Sequence, residues 1–257
     1  PSLKMNGSEN SHNMEKTINT PQKAGASKIT DTAQMISRTT GHSQEAMAWN
    51  DHEGDMIILV NEADEEIGFG EKLDVHRKAL LHRAFSLFVY DQEADQLLIH
   101  KRAHGKYHSG GLWTNACCSH PRKGEVLREA VMRRAEEELG IRWSDIEPHL
   151  ESLSILAGRT EADNGTIADN GRNGLYELGK FQYLARYDGL AEHEIDHVFL
   201  IILRERGRVQ FHPDEREISE TRWVSPEEVD RELKENPDGY SAWFDPAYRF
   251  VKACLRK

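Results

Sequence analysis

From Asp55 onward, short apolar runs alternate with polar turns. The segments DMIILVNEADEEIGF and HRAFSLFVYDQEADQLLIHKRA each place two apolar runs around an acidic turn, which predicts two β-hairpins, the second turning at Asp91 to Asp95. Strands are also predicted at WTNACCSH, KFQYLARY, EHEIDHVFLIILRE and ETRWV. This central part of the chain is therefore predicted to form a sheet.

The period changes to three and four residues between positions 125 and 139, where Arg and Glu cover one face and apolar residues the other. Gly124 precedes this predicted helix and Gly140 closes it. Two more helices are predicted, one within SPEEVDRELKENP and one from about Pro246. Strands with helices between and after them predict an α+β domain built on a mixed sheet.

Two segments lack this patterning. Residues 1–50 are rich in Ser, Thr, Asn, Gln and Gly, and we expect a disordered N-terminal tail before a single folded domain at residues 51–257. Residues 157–179 contain ADNG twice, which favours a flexible surface insertion rich in turns.

Charge and cysteine content narrow the possible partners. Lys and Arg number 33 against 44 for Asp and Glu, and the formal net charge of -11 opposes general binding to nucleic acid or to an anionic membrane. The longest apolar run, HVFLIIL, is too short to cross a bilayer, and three cysteines cannot build a disulfide framework. We expect a cytoplasmic protein that binds any anion through a local basic cluster.

The stretch TNACCSHP sets two cysteines beside a histidine. If it is extended, Ala116, Cys118 and His120 point to one face and Cys117 to the other, so Cys118 shares a site with His120. Two buried core cysteines are an equally good interpretation of the pair alone. A zinc finger is disfavoured because no second cysteine pair stands at ligand spacing.

The same alternation puts Glu192, Glu194 and Asp196 on one face of a predicted strand, although an exposed acidic strand end would look the same. His76 and His82 stand upstream and could be ordinary histidines. Three imidazoles and two carboxylates together suit a borderline divalent ion such as Zn²⁺ or Mn²⁺. Spacing alone leaves open whether they converge.

The helix RRAEEELGI fits the later part of the Nudix box, a diphosphate-handling motif, although a solvated charged helix face would also explain its charges. Two positions depart from the hydrolase pattern. Arg134 stands where Nudix hydrolases carry a catalytic Glu, and Ser119 where their box begins with Gly.

Four segments in order, LLHRAFSLFVY, GLWTNACCSHP, RRAEEELGI and EHEIDHVF, resemble type I isopentenyl-diphosphate Delta-isomerase over residues 57 to 250. The resemblance implies a Nudix-type fold in which a mixed sheet lies between helices. It also implies the reversible conversion of isopentenyl diphosphate to dimethylallyl diphosphate. Separately, we expect a monomer that binds neither nucleic acid nor membrane.

The resemblance assigns roles to individual residues. It implies catalytic roles for Cys118, Glu194 and Tyr183, and a Mn²⁺ or Zn²⁺ site formed by His76, His82, His120, Glu192 and Glu194. It implies Mg²⁺ binding by Glu138, and substrate contacts from Lys72, Arg102, Lys106, Arg134 and Trp243.

Two other functions remain as alternatives. A Nudix pyrophosphohydrolase is disfavoured by Arg134 and by a Cys118–histidine set that hydrolysis does not require. A non-catalytic, metal-stabilised phosphate-binding module would show no turnover, and removal of its metal would mainly lower the melting temperature.

Overall fold

The computed structural model describes residues 16–19, 55–106, 108–153 and 174–255. Within these ranges ten strands form one sheet and five α-helices accompany it. The strands are β1 (Lys16–Asn19), β2 (Met56–Val60), β3 (Glu66–Glu71), β4 (His82–Asp91), β5 (Gln96–Arg102), β6 (Trp113–Thr114), β7 (Cys117–Ser119), β8 (Leu175–Tyr187), β9 (Leu190–Leu203) and β10 (Ile218–Val224). The helices are α1 (Lys72–Arg77), α2 (Leu127–Leu139), α3 (Trp143–Ile146), α4 (Pro226–Glu235) and α5 (Phe244–Leu255).

Strand β4 is the centre of the sheet. Along one edge it pairs in parallel with β9, with His82 opposite Glu194. Along its other edge it pairs antiparallel with β2, then β7, then β5, so that Ser86 lies opposite Cys118. Because one parallel pair stands among antiparallel ones, the sheet is mixed, and the predicted α+β class is confirmed.

Alternation along β9 divides the core in two. Phe199 and Ile201 pack in a cluster with α2 and α3, whereas Val198 and Leu200 pack in a second cluster with α4 and α5. Successive side chains on a strand point to opposite faces, so a strand buried on both faces must be apolar at nearly every position. The run HVFLIIL has this composition, and the sheet lies between two helical layers.

Most predicted elements are confirmed, with small shifts at their ends. Both hairpins form, as β2–β3 and β4–β5. Helix α2 begins at Leu127 and closes at Gly140, which adopts a left-handed conformation with φ 66°. The sequence prediction missed α1 and α3, because six and four residues are too few to show a helical period.

Two predictions about strands are wrong in part. WTNACCSH forms two short strands, β6 and β7, that are interrupted at Asn115 and Ala116. Strand β8 begins at Leu175, inside the predicted insertion, and a register shift between Glu177 and Gly179 lets it continue past the glycine. Residues 157–173 of that insertion lie outside the described residues.

Little of the predicted N-terminal tail is described. Its segment Lys16–Asn19 forms β1 and pairs antiparallel with β8, and the remainder of residues 1–50 lies outside the described ranges. The division into a tail and one domain stays a prediction. None of the described helices is long and apolar enough to span a membrane.

Candidate active site

A single cavity collects most of the residues to which the sequence assigned roles. It lies at the N-terminal ends of the parallel strands β4 and β9, next to β7 and α2. Its walls include Lys72, Arg102, Lys106, Cys118, His120, Arg134, Glu138, Tyr183, Glu192, Glu194 and Trp243. His76 and His82 lie beside the cavity, with Nε2 atoms 4.0 and 3.2 Å from Oε1 of Glu194.

Three histidines from three elements meet one carboxylate. His76 comes from α1, His82 from β4, His120 follows β7, and Glu194 comes from β9. One ligand atom from each of the four lies within 4.8 Å of every other. Nε2 of His120 is 3.0 Å from Oε1 of Glu194. The structure therefore brings together side chains that are up to 118 positions apart in the sequence.

The donor set fits a borderline divalent ion. Nδ1 of His76 lies 2.7 Å from the Lys72 carbonyl oxygen, and Nδ1 of His82 lies 2.8 Å from that of Leu80. Donation from Nδ1 to these carbonyls leaves the Nε2 lone pairs for a metal, an arrangement typical of protein metal sites. Zn²⁺ and Mn²⁺ accept such imidazole and carboxylate ligands.

Protonation states agree with this fit. Burial, reinforced by the neighbouring imidazoles of His82 and His120, holds the pKa of His76 far below its usual value. Burial also lowers the pKa of His120 to about 4. Burial alone would raise the pKa of Glu194, but hydrogen bonds with His120 and His82 outweigh it and hold that pKa well below its ordinary range. At neutral pH His76 and His120 are therefore neutral imidazoles beside an ionised Glu194 carboxylate.

Glu192 faces the same cavity but its carboxylate has different partners. Tyr187 donates a hydrogen bond of 2.8 Å to Oε2, and Nδ1 of His108 lies 3.0 Å from Oε1. The group of four close ligand atoms does not include Glu192. Its predicted role as a fifth ligand stays a prediction.

The two adjacent cysteines separate as strand alternation predicts. Cys117 is fully buried in the hydrophobic cluster under α2, whereas Cys118 lines the cavity and packs beside Trp243 and Tyr183. Ala116, which we expected on the face of Cys118, packs in the same cluster as Cys117. That expectation was wrong because the strand is interrupted at Asn115 and Ala116, so alternation does not continue through it.

Cys118 lies close to a cation. Nη1 of Arg102 lies 3.5 Å from Sγ of Cys118, and the Arg102 guanidinium lies 5.4 Å from the centre of the Trp243 ring. Burial raises the pKa of the Cys118 thiol, and Arg102 opposes that shift only in part. The thiol is therefore protonated at neutral pH.

Cations line one end of the cavity. Lys106 and Arg134 both pair with Glu217, which precedes β10 and which the sequence prediction missed. Arg134 also donates to Glu138 and Glu137, its neighbours on α2. Carboxylates thus hold the cations in place, and an incoming anionic group would meet them already oriented.

Tyr183 and Trp243 close the apolar side. Tyr183 donates a 2.7 Å hydrogen bond to Oε2 of Glu194, and burial, with the charges of Glu192 and Glu194, raises the pKa of its hydroxyl well above the usual value. Trp243 is 3% exposed, and its ring belongs to the same hydrophobic cluster as Tyr183. The cavity therefore has one polar and cationic end and one aromatic wall.

Sequence reasoning missed three further residues here. His108, Ser109 and Tyr187 form a connected group, in which Ser109 Oγ lies 3.2 Å from the Tyr187 hydroxyl and the rings of His108 and Tyr187 stack with centroids 5.2 Å apart. His108 and Ser109 lie in a loop and Tyr187 ends β8. No periodicity marks such positions, and only their contacts reveal them.

Comparison with known proteins places this fold and site in a class. A NUDIX domain matches residues 80–244. The crystal structure of DR0079 from Deinococcus radiodurans aligns with a TM-score of 0.52 at 20% identity, covering 79% of this chain and 100% of that one. The fold is thus that of the Nudix-domain proteins.

Sequence relatives narrow the class further. The chain is 36% identical, over 78% of its length and 88% of the relative's, to isopentenyl-diphosphate Delta-isomerase 2 of Aromatoleum aromaticum. It is 37% identical, over 78% of its length and 97% of the relative's, to isopentenyl-diphosphate Delta-isomerase of Aliivibrio fischeri. The chain belongs to the isopentenyl-diphosphate Delta-isomerase family.

Proposed function

We propose that this protein is an enzyme that interconverts isopentenyl diphosphate and dimethylallyl diphosphate in isoprenoid biosynthesis by moving a carbon–carbon double bond. The observation that carries the proposal is the position of two proton-transfer groups. Cys118 on β7 and Glu194 on β9 pair with opposite edges of β4 and line one cavity. Cys118 lies opposite Ser86 and Glu194 opposite His82, so two strand spacings across the sheet and a four-residue offset along β4 put their backbones roughly 16 Å apart. That separation leaves room for a small hydrocarbon between the two side chains.

The reaction needs two such groups. An unactivated alkene is a weak base, and its protonation produces a tertiary carbocation. A proton must then leave from another carbon, so one group donates a proton and a second accepts one. We assign these steps to Cys118 and Glu194, and because the reaction is reversible each serves as acid in one direction and as base in the other. Tyr183 is hydrogen-bonded to Glu194 and assists it.

The cation requires a preorganised environment. The face of the Trp243 ring and the carboxylates of Glu192 and Glu194 line the cavity and lower the energy of a positive charge there. These groups are held by the fold, so they do not have to reorganise when the charge develops. Their burial also keeps bulk water, which would capture the cation, away from it.

The diphosphate is held at the cationic end. Lys72, Arg102, Lys106 and Arg134 all line the cavity and supply charge-assisted hydrogen bonds to phosphate oxygens. We assign Glu138 to an Mg²⁺ that accompanies the diphosphate, since Mg²⁺ typically binds one or two carboxylates together with substrate phosphates. This local set explains how a chain of net charge -11 binds an anion.

We assign the second metal, Mn²⁺ or Zn²⁺, to His76, His82, His120 and Glu194, with Glu192 as a further candidate ligand. A bound divalent ion would supply a fixed positive charge that orients Glu194 and tunes its acidity. The free thiols of Cys117, Cys118 and Cys254 support a reducing compartment such as the cytoplasm. The monomeric state stays a prediction.

A product assay in heavy water tests the proposal. Purified protein is incubated with isopentenyl diphosphate and Mg²⁺ in D₂O, and the products are followed by NMR and mass spectrometry. We expect dimethylallyl diphosphate that carries deuterium, because alkene protonation draws its proton from groups that exchange with solvent. Release of phosphate or pyrophosphate without this product would instead support a Nudix pyrophosphohydrolase, and absence of turnover in metal-loaded protein would support a binding module.

A further inference from the structure

The carboxamide of Asn115 occupies the break between β6 and β7, and it is fully buried. Nδ2 donates to the carbonyl oxygens of Leu87 at 3.1 Å and Cys117 at 2.5 Å. Oδ1 accepts from Nε1 of Trp243 at 3.0 Å and from Oγ1 of Thr114 at 2.8 Å. The side chain thus uses two donors and both acceptor positions, the full capacity of an amide.

Those partners fix which way the amide points. Indole Nε1 can only donate, and the carbonyls of Leu87 and Cys117 can only accept, so the orientation of the amide is determined. Asp would lack the donors, and Leu would lack every polar contact. Among side chains of this size, only Asn satisfies all of these groups.

The contacts join two parts of the cavity wall. Trp243 supplies the aromatic face, and Cys117 carries the carbonyl immediately before the Cys118 thiol. The segment that bears Trp243 also docks on β6, through a bond from Ser241 N to the Trp113 carbonyl (2.9 Å) and a side-chain bond between Thr114 and Ser241 (2.9 Å). Asn115 itself is not among the residues that line the cavity.

We propose that Asn115 is a positioning residue for the isomerisation, because its amide holds the Trp243 ring and the Cys117–Cys118 strand in one fixed relation. This inference rests on the proposed function. Stabilisation of a cation by an aromatic face and proton transfer to an alkene both depend on short, exact distances. Displacement of a wall by about 1 Å can cost about a hundredfold in rate. Asn115 bonds to Trp243, Thr114, Leu87 and Cys117, and of the cations assigned to the diphosphate Arg102 lies over the Trp243 ring, so substrate affinity should change less than kcat.

Steady-state kinetics of four variants test this role: Asn115→Leu, Trp243→Phe, the double variant, and Ser241→Ala as the matched control. Trp243→Phe keeps an aromatic ring but removes the indole donor. We expect kcat to fall at least about tenfold in both single variants, while KM for isopentenyl diphosphate stays within about threefold. The double variant should lose much less than the product of the two single losses, because both substitutions break the same bond. Ser241→Ala removes a different bond of the network and should keep kcat within about threefold.

Several results would overturn the proposal. The first is that Trp243→Phe keeps the wild-type kcat, and the second is that the two single losses of kcat multiply in the double variant. The third is that KM rises by the same factor as kcat falls, and the fourth is that Ser241→Ala loses as much kcat as the Asn115 and Trp243 variants. If Asn115→Leu does not fold, the smaller Asn115→Ala takes its place in the same cycle with Trp243→Phe, because Trp243→Phe alone also alters the aromatic wall.

A measurement without substrate separates this inference from the proposed function. Melting-temperature shifts of the two single variants should fail to add in the double variant, whatever reaction the protein catalyses. Additive shifts would count against the contact, whereas a wild-type protein that makes no dimethylallyl diphosphate would count against the proposed function alone.

Discussion

At the scale of single residues, exposure to the cavity distinguishes the two adjacent cysteines. Cys117 and Cys118 are neighbours on β7, yet one thiol packs in the core and the other lines the cavity together with Glu194, Trp243 and Arg102. Burial raises the pKa of both thiols. Position relative to the cavity, and not acidity, therefore assigns the chemistry to Cys118.

Replacing each cysteine by alanine separates these roles. We expect Cys118→Ala to lower kcat at least about a hundredfold, because an acid/base group typically contributes that much. Cys117→Ala should keep the activity and lose only stability, since it removes one buried sulfur. The measurement is the rate of dimethylallyl diphosphate formation. Equal activities in the two variants would contradict the assignment.

Alkylation of the wild-type protein tests independently whether the Cys118 thiol lies in the substrate cavity. We expect iodoacetamide to inactivate the enzyme at a rate that falls when isopentenyl diphosphate and Mg²⁺ are bound, because the substrate would cover Cys118. Mass spectrometry identifies the modified residue. Inactivation that substrate does not slow would place the reactive thiol outside the cavity.

Removal of one imidazole tests the metal cluster. His82→Gln deletes a ligand whose ring is fully buried beside Glu194, and we expect the purified variant to retain less Mn²⁺ or Zn²⁺ than the wild type. EDTA should lower the melting temperature of the wild type more than that of the variant, since a ligand that binds only the folded state stabilises it. His104→Gln, at an exposed position, serves as the control. Identical metal content and EDTA response in all three proteins would contradict the site.

At the scale of elements, helix α2 shows how a backbone feature holds a binding group. Its C-terminal residues Glu138 and Leu139 accept backbone hydrogen bonds from Asp214 and His212 in the loop before β10. Gly140 makes that close approach possible, because its φ is 66° and a Cβ there would lie 2.4 Å from the His212 carbonyl oxygen. The same loop continues to Glu217, so this contact also sets the position of the cationic end.

Alanine substitution of the two glycines that flank α2 distinguishes the cost of a strained backbone from the cost of steric overlap. Gly124 has φ 76° and a Cβ at that position would meet nothing within 4 Å, whereas Gly140 has a similar φ and close neighbours. Left-handed backbone costs alanine about 1 kcal/mol. We expect Gly124→Ala to lower the free energy of unfolding by about this amount, and Gly140→Ala by at least about 2 kcal/mol, because overlap adds to the strain. Urea denaturation measures both, and equal losses would contradict the overlap.

At the scale of the whole molecule, a charged network ties distant parts of the sheet together on the face opposite Glu194. Asp64, in the β2–β3 turn, receives hydrogen bonds from Arg83 on β4 and Lys180 on β8, and its Oδ2 lies 2.9 Å from Nε2 of His197 on β9. Nδ1 of His197 lies 2.6 Å from Glu177 on β8. One imidazole thus stands between two carboxylates.

This network predicts a pH-dependent stability. Burial alone would lower the pKa of His197, but hydrogen bonds with Asp64 and Glu177 outweigh it and raise that pKa above its usual value. The stability that the charged imidazole contributes is fully present below the unfolded pKa of about 6.5 and is lost as pH rises through the higher folded pKa.

Urea unfolding between pH 6 and pH 9 measures the effect. We expect the free energy of unfolding to fall with rising pH more steeply in the wild type than in His197→Gln, because the variant lacks the titrating group. His104→Gln, which is exposed, should follow the wild-type slope. A His197→Gln curve parallel to that of the wild type would show that the network does not control this dependence.

Local residue patterns were enough to predict most individual strands and helices. Apolar runs around polar turns predicted β2, β3, β4 and β9, and apolar residues at three- and four-residue steps predicted α2, because buried positions require apolar residues. Side-chain alternation along a strand separated Cys118 from Cys117 and put Glu192, Glu194 and Asp196 on one face. Such signals are local, and they fail where a strand is broken, as at Ala116.

Which faces of these elements meet follows from contacts between distant parts of the chain. Three kinds of contact join elements that are far apart in the chain. Three histidines converge on Glu194, Glu217 pairs with Lys106 and Arg134, and Trp243 donates a hydrogen bond to Asn115. The position of a residue within a strand or helix determines the face to which its side chain points. Its neighbours on other elements depend on how β4 pairs in register with β7 and β9. That register follows from the packing of the whole core, which no short stretch of sequence contains.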